Sequence, residues 1–164
     1  IWQSLGNQDI HWDEAAVLAG KKFANKIWNA ARFVMQRNKI TNYSPEGRSP
    51  FGRQFLMADH KAITEADKVI LEKLKNTKNN LGKTIESYDF GQGLHQLYDF
   101  FWHDFCDIYL EATKNQDNEN TNIILMEVLT ASLKMLHPFM PHITEEIYQK
   151  LPIENKTWLI VEKW

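Results

Sequence analysis

The stretch from Lys22 to Gln36 combines amides, cations and aromatic rings and contains no carboxylate. If it is helical, at about 100° per residue, four of its polar side chains fall within roughly 60° of one another. We call this set the polar stripe: Asn25, Asn29, Arg32 and Gln36. Amides and guanidinium groups can hydrogen-bond the edges of unpaired bases, and Phe33, at the border of the stripe, could stack on a base. The pattern indicates an RNA-binding surface, and a merely solvated helix face is the alternative.

Charge along the chain is segregated. The formal net charge is −2, yet the segment from Ala15 to Pro45 holds six of the 19 basic residues and none of the 21 acidic ones. A cationic region on an otherwise acidic chain is typical of a surface that meets phosphate while avoiding indiscriminate binding to polyanions. Chance clustering on a solvated helix is the other interpretation.

Residues suited to catalysis or metal binding are not arranged for it. The sequence has no glycine-rich phosphate loop, no dinucleotide fingerprint, no CxxC pair and no HExxH motif. Only His103 has a possible ligand one helical turn away, in Cys106 or Asp107, and the aromatic residues around it favour a core position instead. The single cysteine is expected to be a buried structural thiol, which fits a reducing compartment. We predict no catalytic residue and no metal site.

Five helices are needed to position these residues. Asp13 can cap the first, which continues to about Asn38 and has a separate apolar face comprising Phe23, Ile27, Ala30, Ala31 and Val34. A long loop with two Ser-Pro pairs follows from about residue 40 to 63. Thr64 and Asp67 form a capping-box pattern that starts a second helix ending near Ser87.

The second half of the chain continues the helical pattern. We predict a third, aromatic-rich helix from about Phe90 to Thr113 and a fourth over "IILMEVLTASLKMLH", which Pro138 ends. A short fifth helix follows Thr144, and the final "TWLIVEKW" has strand-like character. The predicted fold is therefore an all-α bundle of about five helices with a possible short terminal strand.

Size and composition fit one globular domain. The chain has 164 residues, of which 43% are hydrophobic and 24% charged. It has neither an apolar run of about 18 residues nor a secretory leader pattern. We expect a soluble, non-secreted, cytoplasmic protein without membrane contact.

Three stretches carry a family resemblance. "NKIWNAARFVM", "YDFFWHDFCDIYLEATK" and "LKMLHPFMPHITEEIYQKL" look like successive signatures of the anticodon-binding domain of valyl-tRNA synthetases, class I aminoacyl-tRNA synthetases, in the right order. The first two favour the valyl enzymes over their isoleucyl and leucyl relatives. The resemblance implies a helical bundle that follows a catalytic domain and grips the tRNA anticodon stem-loop. An isoleucyl- or leucyl-type domain, or a helical protein-interaction bundle docking through its third helix, remain alternatives.

The resemblance also implies how the chain is divided and what it does. Residues 1–12 would be a lead-in from the catalytic domain, 13–152 the bundle, and 153–164 the start of a following element. The full protein would be a valine–tRNA ligase that uses ATP with Mg, and its partners here would be tRNA and the catalytic domain of the same polypeptide. The family's HIGH-type and KMSK motifs are absent, so this chain, expected to be a monomer, should not activate valine and needs no cofactor of its own.

Site residues follow from the same resemblance. Asn29 and Phe33 would meet anticodon bases, and the neighbouring positions would lie alongside, namely Asn25, Lys26, Arg32, Gln36 and Arg37. Lys26 and Arg37 are candidates for phosphate contacts, and Lys114 matches a family position near the same loop. One departure concerns the second helix, where "ADKVIL" replaces the family's usual Asp-Arg-Trp opening and puts a role for those positions in doubt.

Overall fold

A computed structural model describes residues 14–40, 64–116, 118–153 and 156–162, without the side chains of 38–40. Five helices account for most of these residues: α1 (Glu14–Ile40), α2 (Glu65–Glu86), α3 (residues 90–113), α4 (Glu119–Leu136) and α5 (Pro141–Lys150). The described part of the chain therefore confirms the predicted all-α bundle of about five helices. The predicted Asp13 cap and the loop from 41 to 63 lie outside the described residues.

Helices α2 and α3 form a tight hairpin. The predicted capping box starts α2, because Thr64 Oγ1 accepts a hydrogen bond from the Asp67 amide (3.2 Å) and the Asp67 carboxylate accepts one from the Thr64 amide (2.9 Å). Tyr88 turns the chain with φ of 60°. Gly93 allows the two helices to approach closely, since a Cβ at that position would lie 2.6 Å from Thr84 Oγ1.

Helix α3 changes geometry along its length. It is α-helical over Phe90–Asp99, π-helical over Phe100–Leu110, and α-helical again over Glu111–Thr113. Its total extent agrees with the predicted bounds. In the π-helical segment Phe101 and Phe105 are fully buried, so the aromatic density that marks this helix in the sequence fills the core.

Buried side chains from all five helices form the core. The predicted apolar face of α1 is buried throughout, with Phe23, Ile27, Ala30, Ala31 and Val34 each no more than 5% exposed. Helix α4 contacts the other four helices, and Leu125, Leu129 and Leu133 along it have no exposed surface. The segregation of the two faces of α1 in the sequence thus corresponds to one face in the core and one in solvent.

A buried carboxylate ties three helices together. Asp67 has no exposed surface and accepts hydrogen bonds from the Tyr109 hydroxyl on α3 and from Thr121 Oγ1 on α4 (3.3 Å). Burial, followed by the bond to Asp67, raises the pKa of the Tyr109 hydroxyl well above its usual value. Asp67 therefore joins α2 to α3 and α4.

The C-terminal segment is a turn packed on the bundle. The possible short terminal strand is not found among the described residues, which form a 3₁₀ turn at Leu159–Val161. The Lys156 ammonium donates to the carbonyl of Leu151 (2.8 Å) near the end of α5, and Glu145 accepts from the Leu159 amide (2.9 Å). Glu162 pairs with Lys134 of α4 (3.2 Å). These polar contacts overcome the β propensity of the Leu-Ile-Val run.

Candidate nucleic-acid interface

The polar stripe lies along the solvent side of α1. Asn25, Asn29, Arg32 and Gln36 are all exposed. Within the described part of the chain, none of their side chains makes a hydrogen bond or ion pair with another residue. As far as the described residues show, these four donor-bearing groups are available to bind a ligand. The helix that carries them is anchored by its opposite, fully buried face.

The flank of the stripe that faces α3 carries a paired cation. The Lys26 ammonium lies 2.7 Å from Asp107 Oδ1 and 5.0 Å from the centre of the Trp102 ring. Burial lowers the pKa of Lys26, but the hydrogen bond to Asp107 and the nearby negative charges outweigh it, and the net shift is upward. The same hydrogen bond is the main reason that the pKa of Asp107 is lowered. Both groups are charged at neutral pH.

Arg37 is held inside the bundle. Its Nε donates to Asn122 Oδ1 of α4 (3.0 Å), and its two terminal nitrogens donate to the backbone carbonyls of Thr113 and Gln116. The three bonds join α1 to α4 and to the end of α3, where carbonyl groups have no partner within the helix. The sequence suggested a phosphate contact here, whereas the guanidinium is already engaged with the protein.

Two aromatic side chains border the stripe, one on each side. Phe33 is half-buried against the core, and the Arg37 guanidinium lies 5.8 Å from the centre of its ring. On the opposite border, toward α5, Trp28 is 38% exposed and Lys150 Nζ lies 5.8 Å from its ring centre. The sequence prediction did not include Trp28. Its helical position, about 60° from Asn25, is the signal that could have identified it.

Lys114 lies just beyond the end of α3. It is exposed and pairs with Glu111 one turn earlier (2.6 Å). Arg37 binds the carbonyls of Thr113 and Gln116 on either side of it, so the turn that carries Lys114 is fixed against α1. The structure therefore brings Lys114 to the same side of the bundle as Arg37.

The groups that could support other chemistry are occupied or buried. Cys106 is buried, and burial raises the pKa of its thiol to about 12, so it is not a thiolate at neutral pH. His103 Nδ1 lies 3.3 Å from Asp107 Oδ2. In the described ranges there is no group of three metal-ligating side chains, and no helix there is long and apolar enough to span a bilayer.

Comparison with known proteins identifies similar sequences. Residues 67–164 match the model of a family described as the anticodon-binding domain of tRNA ligase. The chain is 40% identical to the valine–tRNA ligase of Petrotoga mobilis over 164 aligned positions and 38% identical to that of Thermotoga maritima over 161, each covering 96% of the chain. It is 39% identical to the valine–tRNA ligase of Aquifex aeolicus over 170 positions, covering 91% of the chain.

The comparisons differ in which helices they include. The family match starts in α2, and therefore leaves out α1 and the polar stripe. The alignments with the first two relatives cover 96% of the chain. The uncovered 4% is much shorter than the 27 residues of α1, so these alignments include α1. The chain spans 17% of the length of the first two relatives and 13% of the third.

Proposed function

This chain belongs to the family of anticodon-binding domains of tRNA ligases, and on that premise we propose that it binds the anticodon stem-loop of valine tRNA. The observation that carries the proposal is the row of four exposed amide and guanidinium side chains on α1, which make no hydrogen bond or ion pair within the described residues. Such groups match the edges of unpaired anticodon bases, which an RNA loop can present after unstacking.

The residues around the stripe have different roles in this proposal. Asn25, Asn29, Arg32 and Gln36 read base edges or reach the loop backbone. Phe33 and Trp28 offer ring surfaces at the two borders, and the larger exposed area of Trp28 makes it a second candidate for stacking. Arg37 supports the site by fixing the end of α3, and Lys114, on the turn that Arg37 holds, adds a cation near the same loop.

The activity of the full protein belongs to the same proposal. We infer that the chain is part of a valine–tRNA ligase, whose catalytic domain joins valine to tRNA with ATP and Mg. In that assignment the bundle selects tRNA and performs no bond chemistry. The protein would act in the cytoplasm, as a monomer. The chain alone should catalyse no valine-dependent exchange between ATP and pyrophosphate.

The alternative of a protein-interaction bundle has less support. It relied on the aromatic-rich helix as a docking surface, but Phe100, Phe101, Phe105 and Tyr109 are buried in the core. These side chains stabilise the fold and present little area to a partner. The isoleucyl- and leucyl-type alternatives are distinguished from the valyl type by which anticodon loop the chain binds more tightly.

A titration tests the proposal directly. The 164-residue chain is mixed with stem-loops that carry valine or isoleucine anticodons on the same stem, at two salt concentrations. We expect tighter binding to the valine loop and a salt-dependent affinity for both. Equal affinity for the two loops would contradict anticodon reading, and the absence of RNA binding would contradict the function as a whole.

A further inference from the structure

An acidic side chain stands at the edge of the candidate RNA surface. Asp107 comes from the π-helical segment of α3 and reaches across to α1. One of its oxygens lies 2.7 Å from Lys26 Nζ, and the other lies 3.3 Å from His103 Nδ1. The side chains of Lys26 and Asp107 are 31% and 44% exposed, so solvent and RNA can both reach the pair.

Most of the cations assigned to the interface are already matched by protein groups. Lys26 pairs with Asp107, Lys114 pairs with Glu111, and Arg37 donates to carbonyl groups. Of the basic residues predicted to contact RNA, only Arg32 makes no hydrogen bond or ion pair within the described ranges. The positive charge that α1 shows in the sequence is thus partly neutralised where it meets α3.

We propose that Asp107 determines specificity by holding Lys26 away from phosphates of RNA that lacks the correct anticodon. This inference rests on the proposed function. An RNA held mainly by charge must break the Lys26–Asp107 pair and place its phosphates beside a carboxylate, and both steps cost free energy. An RNA that satisfies the polar stripe gains base contacts without separating the pair. The penalty therefore falls mainly on the wrong RNA.

The test compares two substitutions that change the charge equally. Asp107→Asn keeps the size of the side chain and releases Lys26. Asp104→Asn, one turn earlier on the same helix, instead releases Lys73 of α2, which lies 2.5 Å from Asp104. The wild-type chain and both variants are titrated with a valine-anticodon stem-loop and with the same stem carrying a scrambled loop, at two salt concentrations.

We expect Asp107→Asn to raise affinity for the scrambled loop by roughly two- to fivefold, the range of an exposed ion pair. The salt slope for that loop should steepen by about one unit, as for one added phosphate contact. Affinity for the valine loop should change less, so discrimination falls. Asp104→Asn should leave discrimination at the wild-type value. In a Lys26→Gln background, Asp107→Asn should have a smaller effect, because no lysine is released and only the repulsion between the Asp107 carboxylate and phosphate is removed.

Several results would overturn the inference. Discrimination that is unchanged in Asp107→Asn, or lowered equally by Asp104→Asn, would mean that Asp107 contributes only its share of the net charge. Weaker binding of both loops by Asp107→Asn would mean that Asp107 positions Lys26 for RNA. If the wild-type chain itself fails to discriminate, the proposed function is wrong and this inference fails with it, whereas a discriminating wild type with an unaffected variant rejects the inference alone.

Discussion

Arg37 provides the sharpest test of which α1 residues stabilise the fold and which bind RNA. Its guanidinium donates three hydrogen bonds, to Asn122 and to the carbonyls of Thr113 and Gln116. Hydrogen bonds with a charged donor contribute about 1.5–3 kcal/mol each, but the three share one half-buried group and water can replace some of them. We therefore expect Arg37→Ala to lower the free energy of unfolding by about 2–4 kcal/mol.

The assay combines urea unfolding with RNA titration under folding conditions. Arg37→Lys is the matched control, since it keeps the charge and loses the planar donor fork, and it should recover only part of the stability. Binding by the folded Arg37→Ala chain should keep the wild-type salt slope. The reasoning is refuted if Arg37→Ala changes the unfolding free energy by less than about 0.5 kcal/mol, the range of neutral surface substitutions, while the salt slope falls by about one unit, as for a lost phosphate contact.

Three further predictions concern the stripe and the helix hairpin. Phe33→Ala and Trp28→Ala should each weaken stem-loop binding, measured by calorimetric titration, by about 1–3 kcal/mol if the ring stacks on a base. A ring whose removal lowers the melting temperature in thermal unfolding but leaves RNA affinity unchanged is a core residue. Asn29→Ala should reduce the ratio of affinities for valine and isoleucine loops more than it reduces either affinity, because amides read base edges, and a uniform loss would assign Asn29 to the RNA backbone. Gly93→Ala should lower the free energy of unfolding by about 1–3 kcal/mol, because the added Cβ would contact Thr84. In the same urea experiment Gly82→Ala, where the Cβ would have no neighbour within 4 Å, should raise it by up to about 1 kcal/mol. Equal effects would show that the close approach of α2 and α3 at Gly93 does not matter.

Local signals in the sequence were sufficient to predict that the helices form and approximately where they lie. The Thr64 and Asp67 pattern is a capping box in the structure, and the bounds predicted for α3 agree with residues 90–113. Helical periodicity and capping depend on residues three or four apart, which a sequence displays directly. The π-helical geometry of Phe100–Leu110 has no such signature. The strand-like composition near the C-terminus did not produce a strand in the described residues, because tertiary contacts of Lys156 and Glu162 hold them in a turn.

The site was predicted less completely than the fold. Periodicity alone placed Asn25, Asn29, Arg32 and Gln36 on one exposed face, as observed. It could not show the partners of Lys26 and Arg37, because Asp107 and Asn122 are 81 and 85 residues away along the chain. Counting acids within α1 therefore overestimated its free positive charge. The sequence of one helix carries no information about which distant segments will contact it.

The attachment of the C-terminal turn bears on where this domain can be cut for expression. Lys156 occupies carbonyl groups at the end of α5, and Leu159 is bound by Glu145 of the same helix. A truncation placed at Pro152, where the helical pattern stops, would remove these partners, expose the buried Leu159 site and leave Lys134 without Glu162. We therefore expect that a domain cut no earlier than Glu162, ten residues after Pro152, keeps these contacts.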